Sequence, residues 1–413
     1  MQAKHYLSFW LIQLLLFPIR LLPYRAVHRL GGWLGILIYY IVPNYRKRAL
    51  SNLALASDLN LLPDQIRRIA KQSLGNLMIT CLEYGKFASE TSMEHVAHCE
   101  NPEMAEVLMK QGTPVIFFCA HQANWEVLFL EGTSRMPGVA IGRPIKNHVL
   151  YDWITRIREK FEGKMIAPRQ AIKQGLQGLK KGCFLGIVGD QGMPDSGYSC
   201  SFLGRKAWTS PLPALLSHRT GSPIMFASTR RCNGRYLIHY SDPIWPNQEA
   251  PLEQEVDRMM RQCLSLLEES IKQNPDQWLW SHNRWKQQTP EKIRRPYRQD
   301  SLCIVLPDNE AILEELSPHL PTFREIYPLE FITCKVAKKL ELKFQWNGVN
   351  IETYDHLNEL FQEDLRFKLV FDFTSTCSPC ETAFAVVDVN AWKQADPEAS
   401  ITTLLKKALL HAP

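Results

Sequence analysis

The run His121-Gln122-Ala123-Asn124-Trp125-Glu126 sets an imidazole and a carboxylate about one helical turn apart. These types suit general-base chemistry. An imidazole accepts a proton on one ring nitrogen when a carboxylate holds the other in place. No serine nucleophile accompanies the pair, so the pattern suits direct attack of a substrate hydroxyl on an activated acyl group. Such a pair needs a frame. Pro114-Val115-Ile116-Phe117-Phe118-Cys119 is an unbroken apolar run that reads as a buried strand, and the residues after it read as the first turns of a helix. His121 then stands at a sheet edge, with Glu126 expected to fold back and orient its ring.

Other polar clusters punctuate the chain. Gly142-Arg143-Pro144-Ile145-Lys146-Asn147 is a turn whose cations could hold phosphate or an oxyanion, or form a solvated loop. Arg156, Arg158 and Lys160 lie on one amphipathic helical stretch. Asp190 and Gln191, between Gly189 and Gly192, follow the strand candidate Phe184–Val188. A carboxylate at a strand's carboxyl end is a common place for a working residue, although Asp and Gly also form ordinary turns. Residues 277–286 interleave Trp278, Trp280 and Trp285 with Arg284 and Lys286, a composition compatible with single-stranded nucleic acid, a membrane headgroup layer or a phosphosugar.

These clusters sit on alternating strands and helices. Further strand candidates are Ile224–Thr229 and Tyr236–Tyr240, and Leu252–Asn274 is a long amphipathic helix ended by Pro275. The alternation argues for an α/β fold with helices covering the sheet. The boundaries read as 1–45 for membrane-associated helices, 46–298 for the body and 299–413 for an additional small α/β domain. Within that tail, strands are expected at 302–307, 341–346, 368–373 and 383–389, and helices at 309–318 and 401–410.

Charge divides the same way. Residues 1–298 carry a net +14 and residues 299–413 a net −8, within an overall +6. A basic body suggests an anionic partner such as a membrane surface, a phosphorylated substrate or an acidic protein. Six cations fall in residues 281–298 against Glu291 alone. The 11 cysteines are scattered and read as reduced thiols. The one close pair, Cys377 and Cys380, has no second pair to complete a metal site, so neither metal nor cofactor is expected.

Tyr6–Ile19 and Leu30–Val42 are almost wholly apolar but shorter than an unambiguous spanning helix of about 20 residues. They are expected to anchor the chain, the first spanning or dipping into the bilayer and the second lying at the interface. Arg20, Arg25 and Arg29 follow the first segment, so the positive-inside rule keeps the body cytoplasmic.

Taken in order, these blocks resemble the bacterial lipid A biosynthesis (lauroyl/myristoyl) acyltransferase family over about residues 5–290. The hydrophobic start is followed by His-x4-Glu, then Arg143-Pro144-x-x-Asn147, Arg156-x-Arg158, Asp190-Gln191, Phe202-Leu203-Gly204 and the block from Pro275 to Lys286. The resemblance implies a helix-covered mixed sheet of the glycerolipid-acyltransferase-like type. It also implies acyl transfer from an acyl carrier protein thioester to a hydroxyl on an acyl chain of a Kdo-bearing lipid A precursor, at a bacterial inner membrane. His121 would be the base and Glu126 its orienter, with Arg143, Asn147, Arg156, Arg158, Asp190 and Gln191 on the substrates. Arg143, Arg158 or a backbone N–H near His121 would meet the oxyanion. The same dyad would serve a glycerolipid or glycolipid acceptor, or water in a thioester hydrolase. Nucleic acid is not an expected partner. Where the family often has an aromatic residue and Gly between the His and the Asn, this chain has Gln122 and Ala123, which bears on local packing. Residues 299–413 match nothing in the family.

Overall fold

A computed structural model describes residues 2–288, 291–376 and 379–411. Pro290 and Cys377, the latter one of the cysteine pair, lie outside them. The first half of the chain runs through α1 (Gln2–Leu21), α2 (Tyr24–Ile41), α3 (Pro43–Leu55), α4 (Pro63–Phe87), β1 (Ala97–Cys99), α5 (Glu103–Lys110), β2 (Ile116–Cys119), α6 (Trp125–Arg135), β3 (Gly138–Ile141), α7 (His148–Arg158), β4 (Gly163–Ile166), α8 (Ala171–Lys180) and β5 (Phe184–Val188). It continues through β6 (Ser199–Phe202), β7 (Arg205–Trp208), α9 (Leu212–Thr220), β8 (Ile224–Cys232), β9 (Arg235–Tyr240) and α10 (Leu252–Gln273). The tail holds β10 (Ser301–Val305), α11 (Glu310–Leu316), α12 (Pro321–Ile326), β11 (Phe331–Ala337), β12 (Asn350–Tyr354), β13 (Leu369–Asp372), β14 (Ala385–Asp388), α13 (Val389–Ala395) and α14 (Ile401–Leu409).

The chain divides into two compact units, one of residues 1–41, 71–191 and 209–279, the other of 42–70, 192–208 and 280–413. These differ from the boundaries at 45 and 298 expected from the sequence. The first unit carries a seven-stranded mixed sheet in the order β1-β9-β8-β2-β5-β3-β4. Its central strands β8, β2, β5 and β3 run parallel. Every residue of β2 is buried, which is why its sequence is a continuous apolar run rather than an alternating one. On α10, Val256, Met259, Met260, Cys263, Leu267 and Ile271 recur at helical spacing and are all buried.

None of the described helices is long and apolar enough to cross a membrane, which corrects the expectation of a spanning first segment. One face of α1 is committed to protein: Leu16 and Ile19 pack with Val27 of α2. Its opposite face leaves Leu7, Trp10, Leu14 and Leu21 between 66% and 79% exposed. On α2 the buried positions Val27, Gly31, Gly35 and Tyr39 fall every fourth residue. A Cβ at Gly35 would collide with the backbone of Gly75 in α4, so glycine sets how closely these helices cross.

In the second unit the tail forms a wholly parallel sheet ordered β12-β11-β10-β13-β14. In chain order this is 3-2-1-4-5, the doubly wound arrangement. The turn after its first strand is Leu306-Pro307-Asp308-Asn309, without the glycines that a dinucleotide phosphate requires. β11 and β12 are not among the strands expected from the sequence. The strand expected at 341–346 is instead part of a 3-10 stretch, Lys338–Lys343, and the residues after it. Leu340 and Phe344 are buried while Leu342 is 96% exposed. In a strand all three would share one face.

The tail is not separate from the rest of its unit. Lys368 is 1% exposed and donates to Asp300 (2.7 Å), Asn52 (3.0 Å) and Asn283 (3.2 Å). A second charged cluster joins Glu352 and Asp364 to Lys335 and Arg366 at 2.6–3.0 Å. Burial favours the neutral form of Glu352, yet Arg366 and Lys335 outweigh it and pull its carboxyl down to about 2. The stability this carboxylate contributes is full above the ordinary value of 4.5 and fades as pH falls from there towards about 2. Urea unfolding of the full chain, followed by exchange of β11 and β12 amides, should show tail stability dropping across that interval. Glu352→Gln should flatten the drop; an unaltered slope would exclude this carboxylate as its source.

Candidate active site

β2 and β5 are parallel neighbours, and their register pairs Cys119 with Val188. Two residues further along each strand stand His121 and Asp190, so the pairing of the strands alone brings these side chains together outside their carboxyl ends. His121 Nδ1 lies 2.7 Å from Asp190 Oδ1. Since a carboxylate only accepts, Nδ1 carries the proton. Asp190 Oδ2 also accepts from the His121 backbone N–H and from Trp278 Nε1, each at 2.8 Å. Asp190 is fully buried, while the imidazole keeps 16% of its surface exposed.

The backbone of this turn is clamped. Ala123 N–H donates to the Gln277 carbonyl (2.6 Å) and Leu279 N–H to the His121 carbonyl (3.0 Å). Asn124 caps α6 by accepting from the Glu126 N–H, and its amide donates to Glu83 at 2.6 Å. Glu83 is wholly buried and also meets Tyr236 (2.6 Å) and His28 (2.7 Å). Neither Glu83 nor Trp278 is among the site residues expected from the sequence. Trp278 was visible as part of a motif block, but nothing local to α4 singles out Glu83.

The orienting carboxylate expected from the sequence was Glu126; the structure puts Asp190 on the ring nitrogen instead. Glu126 lies in the first turn of α6, where Arg158 of α7 grips it with two bonds at 2.8 and 2.6 Å and Trp125 Nε1 donates at 3.0 Å. Arg158 reaches Tyr84 as well (2.9 Å). Burial works against its charge, but Arg158 prevails and holds the Glu126 carboxyl below the ordinary carboxylate range. The Trp125 ring meets the His121 ring edge-on, centroids 4.6 Å apart. Glu126 therefore bears on His121 through the indole it fixes.

The remaining candidates separate. Gln191 is exposed, with its amide nitrogen 3.4 Å from His121 Nε2. Asn147, expected on substrate, caps α7 and ties it to α1 through the His5 carbonyl (3.1 Å) and Ser8 (2.9 Å). Arg143 and Arg156 are exposed. Lys160 is spent on the carbonyls of Phe87, Ala88 and Glu90 beyond the end of α4. The aromatic–basic block does not form an open stacking platform, because Trp278, Trp280, Trp285 and Arg284 are all 0% exposed. Arg284 donates to the Trp208 carbonyl and covers the Phe202 ring at 4.3 Å. The Phe202-Leu203-Gly204 block is a hairpin turn, with positive φ at both Leu203 and Gly204.

The family model for bacterial lipid A biosynthesis acyltransferases matches residues 1–287. The chain belongs to this family. A search among curated proteins found no match. His121, Glu126 and Asp190 lie in the matched part, and 288–413 extends beyond it. One family departure has a structural counterpart. Ala123 has φ +46°, in the left-handed region that favours glycine. Ala123→Gly is expected to stabilise the acyltransferase by about 1 kcal/mol, which thermal unfolding would register. A lower melting temperature would show that the methyl group's packing outweighs the strain.

Proposed function

We propose that this acyltransferase moves a fatty acyl group from an acyl carrier protein thioester to a hydroxyl on an acyl chain of a Kdo-bearing lipid A precursor, with His121 as base and Asp190 as its orienter. The reading rests chiefly on one observation: Asp190 holds Nδ1–H of His121 at 2.7 Å, which directs the Nε2 lone pair outward on a partly exposed ring. A substrate hydroxyl bound there gives its proton to Nε2 as its oxygen attacks the thioester carbonyl. The C–O bond forms, the C–S bond breaks as the tetrahedral intermediate collapses, and the imidazolium returns the proton to the departing sulfur. Asp190 stabilises the imidazolium meanwhile.

Among donors for the oxyanion, Arg158 is already bound by Glu126. The backbone N–H groups of His121, Gln122 and Ala123 are bonded to Asp190, Ala120 and Gln277. We assign the role to the amide of Gln191, beside Nε2, with Arg143 on the acceptor's anionic groups. The decisive assay is incubation of the full chain with a panel of acyl carrier thioesters and the tetra-acylated precursor, with mass spectrometry of the lipid. Penta-acylated product is expected. Free fatty acid as sole product would make it a thioester hydrolase, and acylation of a glycerolipid would change the acceptor.

The exposed apolar face of α1, together with Trp33, Leu37 and Tyr40 of α2, supports attachment to a membrane surface rather than passage through it. The exposed cations Lys286, Lys292, Arg294, Arg295 and Arg298 support an anionic surface, at the cytoplasmic face of a bacterial inner membrane. Each large side chain withdrawn from water contributes about 1.5–3 kcal/mol. Replacing Trp10 and Leu14 together by serine should weaken sedimentation with phosphatidylglycerol vesicles at least about tenfold. Unchanged sedimentation would remove α1 from the membrane contact.

A further inference from the structure

A cavity of about 310 Å³ opens in the second unit at the amino ends of the tail strands, lined by β7, the end of α12 and the approaches to β11 and β12. Its walls carry Arg205, Lys206 and Arg324 against one carboxylate, Glu330. The Arg205 guanidinium lies over the rings of Trp285 (5.9 Å) and Phe331 (5.3 Å). Its Nη2 donates to the Asp300 carbonyl at 2.6 Å, whereas its Nη1 is buried and has no hydrogen-bond partner among the described residues. Burial pushes this guanidinium's pKa down despite Asp300 and Glu330, so the chain holds a cation here at a cost. Arg324 is pinned to the carbonyls of Glu330 (2.9 Å) and Gly348 (2.7 Å). Lys206 is exposed and stands over Trp208 at 5.3 Å.

We propose that this cavity binds a phosphate group, free or as a monoester, with Arg205 Nη1 and Lys206 Nζ as its donors. Lining charges of three cations and one carboxylate leave two positive charges, which a phosphate dianion neutralises. A guanidinium with an uncommitted N–H edge suits a phosphate oxygen better than a single-point cation would. Leu329, Phe331 and Ile332 supply an apolar wall for an organic remainder. The site is composite, because Arg205 and Lys206 come from the family-matched hairpin and Arg324 and Glu330 from the extension. All of its lining residues belong to the second unit, and the proposal does not depend on the reading of His121.

Calorimetric titration of the full chain with inorganic phosphate should give saturable binding that weakens as salt rises. Arg205→Met should abolish it. Because Arg205 is packed between rings and its loss could unfold the unit, Lys206→Gln is the deciding variant; its side chain is exposed, and it should weaken phosphate binding about threefold to tenfold. A parallel arm adds vesicles containing phosphatidic acid. Vesicle binding displaced by free phosphate would identify a lipid headgroup as the source, and phosphate binding without it a soluble ligand; both support the site. Absence of saturable phosphate binding, or binding that Lys206→Gln leaves unchanged, overturns it.

Discussion

Acyl transfer by His121→Ala should fall by at least the 10²–10⁴-fold that a positioned general base contributes, to near the background rate. The substitution leaves the fold in place for a specific reason. The imidazole is partly exposed, so its removal opens no closed cavity. Asp190 loses only the ring contact, since the backbone N–H of residue 121 and Trp278 Nε1 still donate to its Oδ2. Rates measured with an acyl carrier thioester, beside thermal unfolding and vesicle sedimentation, separate loss of chemistry from loss of structure. A variant with native-like melting that retained most of its transfer would remove the imidazole from the mechanism.

The second large effect is expected at Asp190. Asparagine has the same shape, but only one oxygen. The position now held by Oδ2 faces two N–H donors, so the amide oxygen must occupy it. The amide NH₂ then faces His121 Nδ1, which becomes an acceptor, and the ring proton moves to Nε2. A nitrogen already carrying a proton cannot take one from a hydroxyl. Asp190→Asn should therefore lower kcat about 10³–10⁴-fold with little change in KM or melting temperature. Glu126→Gln provides the contrast. It loses a charge-assisted grip on Arg158 rather than a bond to the imidazole, so stability should fall by about 1–3 kcal/mol while kcat changes less than about tenfold. Equal kinetic losses in the two variants would return the orienting role to Glu126.

The same contrast separates what local sequence encodes at the site from what it does not. The strand before His121 and the strand before Asp190 were both legible, because strands buried on both faces are continuous apolar runs. Asp190 was visible as a carboxylate at a strand end. Its pairing with His121 was not, because nothing in a single chain says that β2 and β5 lie side by side in the register that matches Cys119 to Val188. Proximity in sequence favoured Glu126, five residues away; proximity in space belonged to Asp190, 69 residues away. Asn147 and Arg158 show the same displacement. Each is a motif residue whose side chain is consumed in holding helices together.

In the tail a local pattern points away from the structure. Leu340, Leu342, Phe344 and Trp346 alternate like a strand, yet the chain coils there and leaves Leu342 in solvent. Alternation is a local signal, and the neighbouring strand that would have used it was taken by Asn350–Tyr354.

The sequence alone determined the family, the apolar strands, the amphipathic helices and the identity of the imidazole, since each is written in residue type and local spacing. Tertiary structure decided which carboxylate orients that imidazole, which cations stay exposed, how α1 and α2 divide their apolar faces between protein and solvent, and where the tail joins its unit. Hydrogen bonds, ion pairs and burial depend on distance in space, and only strand register and helix packing set that distance.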